Sequence, residues 1–111
     1  MRLKSAIWVS AFLRRCMVEN IYGAVLRKGA EEAGAVYVIV NHLDGTCHLF
    51  APPPGASHDE TGERIWEVEV APPAGTPEAM AILERRLRSD PDIWIVEVED
   101  RAGTAGLAAQ R

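Results

Sequence analysis

Apolar and polar positions follow two different periods along this chain, and the densest apolar stretch lies near its middle. Six consecutive residues, Ala35 to Val40, are apolar, and a second apolar run, Cys47 to Ala51, follows after Asp44-Gly45. Asp-Gly between two such runs predicts a hairpin closed by a two-residue type I′ turn, because Gly adopts φ > 0 without steric cost. That register pairs His42 with Cys47, Asn41 with His48, Val40 with Leu49 and Ile39 with Phe50. One face then carries Val36, Val38, Val40 and Leu49, and the other carries Tyr37, Ile39 and Phe50. Both faces are apolar, so the hairpin is expected at the covered centre of an antiparallel sheet.

The period changes on either side. From Ser5 to about Asn20 apolar residues recur at steps of three and four, with Ala6, Val9, Phe12, Leu13, Cys16 and Met17 in one stripe and Ser5 as the expected N-cap. Ile7, Trp8, Ala11 and Val18 fall outside that stripe, which leaves the helix apolar over more than half its circumference. Tyr22 to Arg27 reads as a short strand. Beyond the Pro-containing loop from Pro52 to Gly62, Arg64 to Val70 alternates, with Trp66, Val68 and Val70 on one face. Thr76, Pro77 and Glu78 then match a helix start as N-cap, first helical residue and first-turn carboxylate. Ala79, Met80, Leu83 and Leu87 share a face of that helix, and Asp90-Pro91 ends it. The last strand, Asp92 to Glu99, repeats the fourth closely (IWEVEV and IWIVEV), which predicts equivalent core positions for Trp66 and Trp94.

The order is therefore α-β-β-β-β-α-β, an α+β chain. Its sheet should be five-stranded and mostly antiparallel, with a helix on each face in three layers. Residues 1–101 are expected to form the domain and 102–111 a flexible Ala- and Gly-rich tail.

Composition changes this picture little. With 111 residues and a formal charge of −4, nothing points to nucleic acid or an anionic membrane as partner. Arg14-Arg15 closes the first apolar run where a signal peptide would need a cleavage site, and the run is too short to span a bilayer. Two cysteines without motif spacing suit a reducing cytoplasm, and no cofactor is expected.

Three stretches, RLKSAIWVSAFLRRC, RKGAEEAGAVYV and DPDIWIVEVEDRAG, resemble a family of short alphaproteobacterial proteins classified as domain of unknown function 1491. The resemblance covers nearly the whole chain in order. It implies a bacterial, cytoplasmic, single-domain protein and carries no catalytic residue with it.

Candidate sites come from the residues themselves. Trp8 and Ala11, with Arg14 and Arg15, form a surface suited to a protein partner or a homodimer, since interface cores favour aromatic and Arg side chains. That makes a non-enzymatic interaction module the first expectation. The alternative is a small metal-dependent enzyme using Asp90, Asp92, Glu97, Glu99 and Asp100. His42 and Cys47 are expected to be neighbours, with His48 on the opposite face. Two ligands fall short of a zinc site, so no metal centre is assigned.

Overall fold

The two faces of one sheet take up most of the apolar positions of the chain. A computed structural model describes residues 2–109. Among them the order is α1 (Ser5–Val18), β1 (Gly23–Arg27), β2 (Val36–Asn41), β3 (Cys47–Ala51), β4 (Glu67–Val70), α2 (Thr76–Ser89) and β5 (Trp94–Glu99). The strands lie in the order β1-β5-β2-β3-β4. Only the β2–β5 pairing is parallel; the other three are antiparallel. Helix α2 supplies the crossover that a parallel pair requires. The fold is α+β with one helix packed on each face, as the two apolar sheet faces imply.

Under α1 lie Val36, Val38, Val40, Phe50, Trp66 and Trp94, together with Val96 and Val98. Under α2 lie Tyr37, Ile39, Leu49, Val70, Ile93 and Ile95. Trp66 and Trp94 thus share the α1 face and are both buried, as the echo between the two strands predicts.

The hairpin register differs from the expected one by a single residue. Asn41 pairs with Cys47, Val40 with His48, Ile39 with Leu49 and Val38 with Phe50. The His42 N–H donates to the Thr46 carbonyl at 3.1 Å, so Leu43-Asp44-Gly45 forms the loop. Two side chains make the longer loop favourable. Asp44 accepts from both the N–H and the hydroxyl of Thr46, at 2.9 and 2.6 Å, and Asn41 Oδ1 accepts the Leu43 N–H at 2.8 Å. Leu43 and Gly45 both take positive φ, 62° and 91°. Because strand side chains alternate, this slip exchanges Leu49 and Phe50 between the two faces.

Strand β4 departs from simple alternation as well. Leu49 pairs with Val70 but Phe50 with Val68, so an extra residue, Glu69, bulges on β4. Trp66 faces α1 while Val70 faces α2, and edge-strand Val68 is exposed.

The helix starts also shift. Ser5 is the first residue of α1 rather than its N-cap, and the Ser5 and Ala6 N–H groups donate to the Glu32 and Glu31 carbonyls, each at 3.0 Å. The orphan amides of the first turn are therefore met from a distant link, not from a capping side chain. In α2 the N-cap is Gly75, whose N–H donates to the Glu78 carboxylate at 2.8 Å. A Cβ at position 75 would collide with the Gly45 carbonyl, so the loop and the helix start can meet only at glycine.

Residues 102–109 do not form the expected loose tail. Ala105 and Leu107 are buried beside α1. Asp100 accepts the Gly103 and Ala105 N–H groups at 3.1 and 2.9 Å, and Arg15 donates to the Ala105 carbonyl at 2.6 Å. Residues 110 and 111 of the expected tail lie outside the described residues.

Candidate functional site

Trp8 does not stand in solvent. Its ring stacks on Phe12 at 4.9 Å and meets Trp66 at 5.4 Å, while the Arg64 guanidinium lies over it at 5.6 Å. The connection between β3 and β4 thus covers the side of α1 that the sequence pattern leaves open. Arg15 also points inward, over the Phe12 ring at 5.3 Å and onto the Ala105 carbonyl. Met17, assigned to the inner stripe, is exposed instead.

What remains outside on α1 is a different stripe. Ile7, Ala11, Arg14 and Val18 recur at steps of four, three and four, and all are exposed. Met17 and Val18 keep 73% and 79% of their surface in solvent, and Tyr22 keeps 68%. Beside Ile7, the small residues Ser10 and Ala11 leave a shallow depression of about 310 Å³, flanked by Arg14. Of the predicted interface residues, the structure places Ala11 and Arg14 on this outer surface, half-buries Trp8, and leaves Arg15 exposed but tied to Glu19 at 3.3 Å and to the Ala105 carbonyl.

The acidic residues near the last strand do not converge. Asp90 and Asp92 sit before β5 and Glu99 and Asp100 at its far end, a strand's length of roughly 20 Å apart. Asp90 accepts the Asp92 N–H at 3.0 Å, Glu97 takes a long 3.4 Å bond from Asn41, and Asp100 holds the tail. Among the described residues no group of three or more His, Cys, Asp or Glu side chains is placed to hold a metal ion. Strands β4 and β5 are separated by two others, which keeps Glu67 and Glu69 away from Glu97 and Glu99.

The register slip creates an arrangement that the sequence pattern did not predict. His42 and His48 fall on the same side of the hairpin, while Cys47 turns to the α2 face. His42 Nδ1 lies 2.7 Å from the Asp100 carbonyl, and its Nε2 lies 2.8 Å from His48 Nδ1. A carbonyl only accepts, so His42 donates from Nδ1 and receives the His48 Nδ1–H at Nε2. That chain leaves the lone pair of His48 on Nε2. Burial, and then the nearby His42, hold His48 below the ordinary imidazole range. The pair borders an open cleft of about 800 Å³ with Thr46, Arg101 and Thr104. The hydroxyls of that lining are already donated, Thr46 to Asp44 and Thr104 to the Leu107 carbonyl, each at 2.6 Å. An odd-length loop is the signal that would have revealed the histidine pair, and nothing in Asp44-Gly45 alone distinguishes the two loop lengths.

Cys16 and Cys47 are free and buried on opposite faces of the sheet, and burial raises both thiols above their usual range.

A family model described as "Protein of unknown function (DUF1491)" matches residues 3–108. The solution structure of protein Atu0922 from A. tumefaciens is similar over 100% of this chain and 98% of that one, with 40% identity and a TM-score of 0.82. The crystal structure of a DUF1491 family protein from Caulobacter crescentus is similar over 91% of this chain and 89% of that one, with 40% identity and a TM-score of 0.74. An NMR structure of a DUF1491 family protein from Caulobacter crescentus matches over 98% of this chain and 96% of that one, with a TM-score of 0.76. No curated protein matches the chain.

Proposed function

The chain belongs to the DUF1491 family of proteins of unknown function, and on that premise we propose that it is a non-enzymatic protein-interaction module. It docks through the outer face of α1, on a second copy of itself or on another protein. The observation that carries this reading is the set of exposed apolar side chains at one end of the helix, Met17 and Val18 with Tyr22 after it, and Ile7 on the same stripe as Val18. Contiguous exposed apolar surface is the informative kind, because single exposed apolar side chains are ordinary. Ser10 and Ala11 let an incoming helix approach closely, and Arg14 supplies the polar rim. Two buried free thiols support a reducing, cytoplasmic setting, and among the described residues no helix is long and apolar enough to cross a membrane.

Sedimentation equilibrium with far-UV circular dichroism tests the self-pairing form. The wild type should associate, while Ile7→Glu and Val18→Glu should be folded monomers. A wild type that stays monomeric at high micromolar concentration rules out self-pairing. The remaining form then requires a host protein captured by the wild type and not by Val18→Glu. Equal capture by both sinks the proposal.

A further inference from the structure

The connection between β3 and β4 folds into a small hairpin of its own. His58 and Arg64 form an isolated antiparallel bridge, and the Ile65 N–H donates to the Ser57 carbonyl at 3.1 Å. Asp59 locks the turn by accepting from the Thr61 N–H, the Thr61 hydroxyl and the Glu63 N–H, at 2.8, 2.6 and 3.0 Å. Bridge partners project to one side, so this turn presents an imidazole and a guanidinium together.

Arg64 is fixed where it stands. It lies over Trp8, and its Nη2 donates to Ser5 Oγ at 2.9 Å; the Ser5 proton goes on to the Gly34 carbonyl at 2.5 Å. Yet its charge is unmatched. Neither Arg64 nor Arg2 forms an ion pair among the described residues. Arg64 Nε and His58 Nε2 are both buried without a hydrogen-bond partner. Both side chains border a cavity of about 430 Å³ that Arg2, Lys4, Glu32 and Ser57 also line. Glu32 is the one carboxylate of that lining; its side chain is mostly exposed and reaches Lys4 only at 3.9 Å. Three cations and an imidazole around one cavity are unexpected in a chain of net charge −4. A guanidinium withdrawn from water without a counter-charge is costly, and an anion would relieve that cost.

We propose that this cavity binds the phosphate group of a small molecule, with Arg64, Arg2 and Lys4 supplying the charge and His58 a further donor. The convergence of three cations matches a dianion better than a single carboxylate, and a guanidinium fork suits phosphate geometry. The first α1 amides are already taken by the Glu31 and Glu32 carbonyls, so recognition falls on side chains, with the positive end of the helix dipole adding to the field. The cavity has the volume of a small-molecule site, with room for an organic group attached to the phosphate. Burial first, then Arg64 and Arg2, hold His58 below the ordinary imidazole range, against the opposing effect of Asp59. A bound dianion would reverse that balance.

The test is a titration of the isotope-labelled full chain with inorganic phosphate and with glycerol 3-phosphate at low ionic strength, followed by amide NMR. Saturable shifts should centre on residues 2–5, 32–35, 57–58 and 64, and weaken with added salt as screening requires. The His58 imidazole should titrate at higher pH in the presence of phosphate. Arg2→Gln with Lys4→Gln, both at exposed positions, should keep the fold by circular dichroism and weaken binding at least about tenfold. Arg64→Gln should abolish saturation. Tighter binding of the ester than of free phosphate supports an organic phosphate, and equal binding supports the free ion. Shifts that never saturate, shifts unchanged in the double variant, or acetate binding as tightly as phosphate would each overturn the proposal.

Discussion

The two helices of this protein cover opposite faces of the same sheet, yet their surroundings differ in how completely they are satisfied. On the α2 side the partly buried cation has a counter-charge, although Glu69 Oε1 is left buried without a hydrogen-bond partner. Arg86 donates to Glu69 at 2.7 Å and to the Tyr37 hydroxyl at 3.1 Å, and those two bonds hold its guanidinium protonated beyond its usual range. The helix buries Ala79 and Leu83 and turns Glu84, Arg85 and Arg88 to the solvent side. On the α1 side the core is also buried, but among the described residues Arg64 has no ion pair, and Val18 is exposed. A cation already paired within the chain makes no demand for an anion from outside. The unmet demands on the α1 side are why both the docking surface and the anion cavity are assigned there.

That contrast can be broken or sharpened by measurement. The largest effect is expected in the shared α1 core, where Trp66→Ala or Trp94→Ala should cost about 3–5 kcal/mol in denaturant unfolding. Trp94 adds a hydrogen bond to the Ala30 carbonyl at 2.8 Å, so it should be the more sensitive of the two. A loss below about 1 kcal/mol at both positions would mean that the faces are misassigned. Trp8 is half-buried over Phe12 and Trp66, and Trp8→Ala should cost about 2 kcal/mol, less than a full core truncation. A negligible loss there would return Trp8 to the docking surface.

On the α2 side, Glu69→Gln keeps the shape and removes the charge opposite Arg86. The Arg86 side chain is 40% exposed, so solvent limits the loss to about 1 kcal/mol. Equal stability of that variant and the wild type would remove the claim that α2 is held closed by this pair. The acid limb should respond next, through both imidazoles with lowered values. His48 and His58 are held below 6.5 in the fold, so the unfolded chain binds protons first as pH falls through 6.5. Stability should be full above that pH, decline below it, and level off once pH has passed the folded values. His48→Gln and His58→Gln should each flatten that decline, as followed by urea midpoints against pH. The smallest effect is expected on the outer face of α1, where Val18→Ser should leave stability within about 0.5 kcal/mol. A substantial loss from a residue 79% exposed would show that something within the chain already covers it.

Much of the fold was legible because it is local. Helical spacing in Ser5–Val18 and Thr76–Ser89, and the apolar runs on either side of Asp44-Gly45, depend on neighbours a few residues away. Apolar residues on both sides of the hairpin strands required cover on each, and one helix per face supplies it. The acidic set was misleading for a simple reason: closeness along a strand is not closeness in space once 3.3 Å separates successive residues. Arg64 and His58, the residues of the proposed anion cavity, carry no motif, and their unpartnered Nε and Nε2 atoms become visible only in the folded chain.

Sequence alone therefore determined which segments are helices and strands, their order, and the burial of Trp66 and Trp94, since propensity, period and turn residues act over short range. The folded structure decided what the apolar period does not encode, through side-chain bonds within the loop and through distant partners. The Asp44 and Asn41 side chains chose a three-residue loop, which exchanged Leu49 and Phe50 and brought His48 to His42. The carbonyls of Glu31 and Glu32 replaced a side-chain cap on α1, and Asp100 and Arg15 drew the tail onto the core. Each of these outcomes turns on a hydrogen bond worth about 1 kcal/mol between residues whose meeting the chain's own periodicity does not encode.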